Sequence, residues 1–187
     1  VLLAHGAGAG QDHPFMATLR DELAEHGLIV MTFNYAYTEA GRKAPDRIEK
    51  LLEVHQAAAD RLAGYSDRVI LAGKSMGGRM ASHLAGDAGW PATALVYYGY
   101  PLVPLGKSEP RDTSHLERIT VPQLFFAGSR DRLSPPTRIG PLARRLPRAE
   151  LIVVAGGDHS FKVPKKSGQT YEEVIGSLAA DTVRLLP

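Results

Sequence analysis

The chain has 187 residues, 44% of them hydrophobic, which suffices for one buried core and leaves no need for a second domain. With 22 Lys+Arg against 20 Asp+Glu the net charge is +2, too small to make nucleic acid or an anionic membrane the main partner. There is no cysteine, which excludes disulfides, thiolate catalysis and Cys-ligated metals, and no apolar run approaches the ~20 residues of a membrane span.

Short apolar runs alternate with amphipathic segments from end to end, the pattern of βα units stacked into a parallel sheet. The chain opens at Val1 inside an apolar run, so native residues are expected upstream, and a cytoplasmic location is the expectation. Strands are predicted near Val1–Ala4, Leu28–Phe33, Val69–Ala72, Ala94–Tyr98, Gln123–Ala127 and Leu151–Val154. The first helix is predicted from about Pro14 to His26, with Phe15, Leu19 and Leu23 on one face and Pro14 in the opening turn. A second is predicted from about Pro45 to Leu62, placing His55 on its apolar face as a packing residue. Further helices are expected after Ser75, after Ser134-Pro135 and after Thr170, where Glu173 completes a capping-box pattern. The stretch from Gly99 to Val121, with Pro101, Pro104 and Pro110, is a crossover too short to hold a helical lid, so an open or shallow site is expected.

Gly73-Lys74-Ser75-Met76-Gly77 carries the most chemical information. It joins the strand at Val69 to a helix, the setting of a nucleophile elbow, in which a strained turn lifts the central hydroxyl above the sheet. Two competing readings fail on single positions. A phosphate-binding loop needs glycine where Arg68 stands, and a dinucleotide fingerprint built on Gly6-Ala7-Gly8-Ala9-Gly10 needs glycine at Gln11 or His13 and an acidic residue near Asn34. If the strands at Leu28 and Val69 flank the first strand on opposite sides, the winding reverses there. The His5–Gly8 turn and the elbow then face each other across the topological switch point. The oxyanion hole is assigned to the Met76 and Ala7 amides, with Gly8 as the alternative on the first loop. His5 is read as ordering that loop.

A serine hydroxyl needs a base, and the base needs an orienting acid. At such elbows these follow in the order Ser, Asp or Glu, His. Of the histidines beyond Ser75, His83 lies within the next helix and His115 in the crossover. His159 alone follows the last strand, and it is the predicted base. Asp131, at the end of the preceding strand, is the predicted acid. Asp158 is read as shaping the loop, because a sequence neighbour rarely reaches imidazole Nδ1. Arg79, one turn beyond Ser75, together with Arg42 and Lys162, is a weak pointer to an acidic acyl group. Tyr35, Tyr37, Tyr98 and Tyr100 follow predicted strands and either line the cleft or pack in the core. The substrate-contact candidates are therefore Gly8, Arg79, Tyr37 and Tyr100.

His5-Gly6-Ala7-Gly8-Ala9, Gly41-Arg42-Lys43-Ala44-Pro45-Asp46, Gly73 through Met80, Gly99-Tyr100-Pro101-Leu102 and Gly157-Asp158-His159-Ser160-Phe161-Lys162 together resemble motifs of the α/β-hydrolase superfamily. The closer likeness is to its dienelactone-hydrolase-like branch, which includes bacterial proteins, an animal testis-expressed protein and a subunit of the chromatin NSL complex. The resemblance implies a three-layer αβα fold of about six parallel strands, entered at the superfamily's third strand, without a lid. It also implies a Ser75/Asp131/His159 triad and cofactor-free, metal-free hydrolysis of a small ester or thioester. Some members of the branch serve as complex subunits. A non-catalytic interaction module on the same scaffold is therefore the competing expectation.

Overall fold

A computed structural model describes residues 1–186. Six parallel strands form one sheet: β1 (Leu2–Ala4), β2 (Met31–Phe33), β3 (Ile70–Lys74), β4 (Ala94–Tyr98), β5 (Gln123–Gly128) and β6 (Ala149–Val154), in the order β2-β1-β3-β4-β5-β6. The helices are α1 (Pro14–Glu25), α2 (Ala36–Glu39), α3 (Ile48–Ala63), α4 (Met76–Gly86), α5 (Ser114–Glu117), α6 (Pro136–Arg145) and α7 (Tyr171–Leu185), with a 3-10 turn at Lys165–Ser167.

The central strands are almost wholly apolar, with Lys74 and Gln123 at strand ends the exceptions, because both faces of the sheet are covered, and their two-residue period divides the side chains between the layers. Leu2, Leu71, Leu95, Tyr97 and Phe125 pack against α3, α4 and α6, whereas Leu3, Ala72, Val96, Tyr98 and Phe126 pack against α1 and α7. The result is a three-layer αβα architecture, and its winding reverses around β1, which lies between β2 and β3. The Thr170–Glu173 capping box forms as expected, with the Thr170 hydroxyl accepting from Glu173 N–H at 3.1 Å.

Three local departures have physical causes. The second strand is shorter than its apolar run, because Leu28 and Val30 turn into the core against α1 and α7 while only Met31–Phe33 pairs with the three residues of β1. The helix expected from Pro45 is α3, and it starts at Ile48. Asp46 is held by Arg42 at 2.7 Å, and Arg47 is extended (ψ 155°) as the residue before the helix. The crossover contains α5, a single turn opened by Asp112 accepting from Ser114 N–H at 3.0 Å, too short to leave a periodic signal. Among the described residues no helix is long and apolar enough to cross a membrane.

Candidate active site

Ser75 occupies a conformation that side-chain-bearing residues avoid, with φ 50° and ψ −112°. Such backbone costs on the order of 1–3 kcal/mol and persists only where the surroundings enforce it. Here Ser75 N–H donates to the Tyr98 carbonyl at 3.0 Å, and the Ser75 carbonyl accepts from Arg79 N–H at 3.1 Å as α4 begins. The flanking glycines are a matter of space. A Cβ on Gly73 would lie 2.3 Å from Gly78 N, and one on Gly77 would lie 2.3 Å from the Ala4 carbonyl oxygen. The elbow thus presses α4 onto β1 and β3 more closely than any side chain permits.

Three chain segments converge on the Ser75 hydroxyl. His159 Nε2 lies 2.9 Å from Ser75 Oγ, and His159 Nδ1 lies 2.8 Å from Asp131 Oδ2. Asp131 is only 2% exposed, and its other oxygen accepts from Leu133 and Ser134 N–H at 2.8 and 3.0 Å. Burial pushes the Asp131 carboxyl up, but the His159 hydrogen bond and charge, with those two amides, outweigh it and hold it below the usual carboxylate range. Asp131 therefore remains an anion at neutral pH. Its contribution to stability is present above the ordinary carboxylate range and is lost only as pH falls through its lowered value. Asp158 does not reach the imidazole; its Oδ1 accepts from Ser160 and Lys162 N–H at 2.8 and 3.0 Å and closes the loop that carries His159.

The Ala7 and Met76 amides flank the same opening, and neither donates a hydrogen bond among the described residues. His5 supports the Ala7 turn, with Nδ1 2.8 Å from the Gly6 carbonyl and Nε2 accepting from Tyr35 N–H at 3.3 Å. Burial holds His5 below its ordinary value despite the Gly6 contact, which favours the neutral ring this bonding requires. The whole group opens into a cleft of about 580 Å³ lined by Phe15, Ile48, Leu51, Val103 and Leu133 among other residues.

Lys74, next to Ser75 in the chain, is a buried polar side chain in an apolar setting. Its Nζ has no hydrogen-bond partner among the described residues and sits 5.9 and 5.6 Å from the Phe15 and Phe161 rings. Burial pushes it from 10.5 down to about 8, against the pull of Asp131 and Asp158. Because the folded value is the lower one, the unfolded chain binds the extra proton between these limits, so stability rises with pH from about 8 to 10.5. Lys74→Met is expected to raise stability at pH 7 by about 2–3 kcal/mol, or roughly 5–10 °C in Tm, with the gain fading by pH 10. Thermal denaturation at the two pH values checks this. A destabilised variant, or a gain that does not change with pH, would contradict the assigned cost.

A family model described as an alpha/beta hydrolase domain matches residues 1–186. The chain belongs to the alpha/beta hydrolase family. Its fold is similar to that of an alpha-beta serine hydrolase homologue from Coxiella burnetii, with TM-score 0.75 and 21% identity over 100% of this chain and 84% of that one. It is also similar to a serine hydrolase without a lid from Xanthomonas campestris, with TM-score 0.77 and 18% identity over 100% and 83% of the two chains. Est1E from Butyrivibrio proteoclasticus, solved with ferulic acid bound, gives TM-score 0.75 and 15% identity over 99% and 88%.

Several expected contacts of this alpha/beta hydrolase lie elsewhere. Tyr37 and Tyr100 do not line the cleft; each is 1% exposed. Tyr37 packs edge-on against His5, and Tyr100 packs against Tyr97 and Phe125 with its hydroxyl 3.4 Å from His115 Nε2. Tyr35 and Tyr98 are likewise core residues, because the ends of strands buried on both faces aim large side chains into the layers. Gly8 sits in an exposed turn with φ 71°, outside the lining set, while Gly6, Ala7 and Ala9 belong to it. Arg79 does line the cleft. Arg42 is taken by Asp46, and Lys162 is outside the lining set. Arg111 lines the cleft too, and its Pro-rich, aperiodic surroundings left nothing in the sequence to single it out.

Three further histidines, His55, His83 and His115, lie outside the cleft. His55 is fully buried against Tyr35 Oη at 2.9 Å, and burial lowers it to about 3. His83, Asp87 and His115 bring metal-ligand atoms within 4.8 Å of one another. However, the two rings stack at 3.8 Å and 17°, so their in-plane lone pairs do not converge. His83 Nδ1 is held by Asp87 at 2.6 Å at the end of α4, and His115 Nε2 lies 2.9 Å from Ser82 Oγ, a contact that ties α4 to α5.

Proposed function

We propose that this chain is a serine hydrolase acting through an acyl-enzyme on a small ester or thioester, with residues 1–186 forming one catalytic unit of the dienelactone-hydrolase-like branch. The observation that carries the reading is the continuous chain of contacts Asp131 Oδ2 to His159 Nδ1 at 2.8 Å and His159 Nε2 to Ser75 Oγ at 2.9 Å. The Asp131 carboxylate accepts the Nδ1 proton, which leaves the Nε2 lone pair facing the hydroxyl. As Ser75 Oγ attacks the acyl carbonyl, His159 takes its proton and Asp131 stabilises the imidazolium. The Met76 and Ala7 N–H groups donate to the developing oxyanion, where preorganised donors act most strongly. His159 then protonates the departing alcohol or thiol. In the second half it takes a proton from water as that water attacks the acyl-enzyme, then gives it to Ser75 Oγ as the acyl–Oγ bond breaks and the acid leaves. Every step uses side chains and amides of this chain.

The test is hydrolysis of a short-chain p-nitrophenyl ester by the wild-type protein and by Ser75→Ala. Turnover that depends on Ser75 supports the reading; equal rates would favour a non-catalytic interaction module built on the same scaffold.

A further inference from the structure

The cleft beside Ser75 has an unbalanced charge. Lys74, Arg79 and Arg111 line it, and among the described residues its one carboxylate is Asp46, already held by Arg42 at 2.7 Å. Arg79 lies one turn after Ser75 on α4, the spacing that puts two side chains on the same helix face. Its guanidinium is half-buried and makes no hydrogen bond or ion pair among the described residues. Arg111 is also half-buried. Its Nε donates to the Pro101 carbonyl at 3.1 Å and its backbone N–H to Leu102 at 2.8 Å, which fixes the guanidinium at the cleft wall with both terminal nitrogens unspent. Arg79 and Arg111 line the same cleft, and burial, then the charge of Arg111, push Arg79 down from its ordinary value, so each cation lies within electrostatic reach of the other.

Two like charges partly removed from water repel each other, and the repulsion is relieved by an oxyanion that accepts from both forks. Pro101, Val103 and Leu133 border the same space and keep its dielectric low, which strengthens such a contact. We propose that Arg79 and Arg111 form an anion subsite beside Ser75, so that the preferred substrates are esters carrying a second, oxyanionic group, a carboxylate or a phosphate. The proposal rests on Ser75 being the nucleophile only in its claim about esters; the anion site itself does not require turnover.

The experiment compares kcat/KM for three p-nitrophenyl esters of matched length: the neutral butyrate, the hemisuccinate with a terminal carboxylate, and the 3-phosphonopropanoate. The wild-type protein is expected to favour one or both anionic esters over butyrate by about tenfold or more, with the better of the two identifying the oxyanion. That ratio is expected to fall by about tenfold in Arg79→Gln and in Arg111→Gln and to shrink with added salt. Where esters are turned over, a wild-type ratio near one, or a ratio untouched by both substitutions, overturns the subsite. In parallel, calorimetry with Ser75→Ala measures binding of N-propylsuccinamate and of inorganic phosphate. If no ester is turned over, saturable binding that disappears when Arg79→Gln and Arg111→Gln are added upholds the subsite, and only the hydrolase reading fails. If no ester is turned over and neither anion binds, the subsite is removed.

Discussion

Ser75→Ala is expected to lower ester turnover by about 10⁴–10⁶-fold, leaving a residue of rate enhancement from binding and the oxyanion donors alone. The substitution removes one oxygen, whose one side-chain hydrogen bond among the described residues is to His159 Nε2 at 2.9 Å. Alanine keeps the Cβ that the φ 50° turn already accommodates, and the bonds from Ser75 N–H to Tyr98 and from Arg79 N–H to Ser75 use the backbone. The folded elbow should therefore survive, and the loss should be chemical. Progress curves on an activated ester, with circular dichroism of both proteins, check this. A fall of less than about tenfold with the fold intact would move the nucleophile elsewhere.

Asp131→Asn is expected to cost about 10³–10⁴-fold in kcat, for a reason visible in the hydrogen bonds. One carboxylate oxygen accepts from Leu133 and Ser134 N–H at 2.8 and 3.0 Å, so an asparagine at this position must turn its carbonyl oxygen toward those amides. Its NH₂ group then faces His159 Nδ1, where the second carboxylate oxygen now lies at 2.8 Å. An NH₂ donor there fixes the imidazole in the tautomer with its proton on Nε2, pointing at the Ser75 hydroxyl it should deprotonate. The geometry would be nearly unchanged and the base disabled. Steady-state kinetics of the variant measure the effect, and a near-normal kcat would mean that Asp131 does not set the tautomer.

These two residues also show how much of the site was legible before any coordinates. The elbow announced itself because glycines at 73 and 77 are demanded by backbone contacts of 2.3 Å, a constraint that leaves a fixed pattern in the chain. Asp131 and His159 could be placed beside Ser75 because each lies on the loop that follows a strand, and those loops leave the same edge of a parallel sheet. The sheet order around β1 was readable for the same reason. What failed to show was anything that depends on how side chains rotate into layers. Tyr37 and Tyr100 follow strands just as a cleft residue would, yet both turn inward to 1% exposure. Asp46 diverts to Arg42, so α3 begins three residues later than Pro45 suggested. Arg111 reaches the cleft only because the crossover folds back and pins it to the Pro101 carbonyl, a long-range event with no local period. Lys74 stands where a phosphate-binding loop would carry its lysine; in the fold its Nζ has no hydrogen-bond partner among the described residues and lies beside two phenylalanine rings.

The central claim is that Ser75 is an activated nucleophile, and covalent labelling by a serine-directed fluorophosphonate tests it most directly. Intact-mass and peptide-level spectra should show one adduct per folded chain, located on Ser75, lost in Ser75→Ala and suppressed by heat denaturation before exposure to the probe. Folded protein that acquires no adduct, or an adduct on any other residue, would contradict the account.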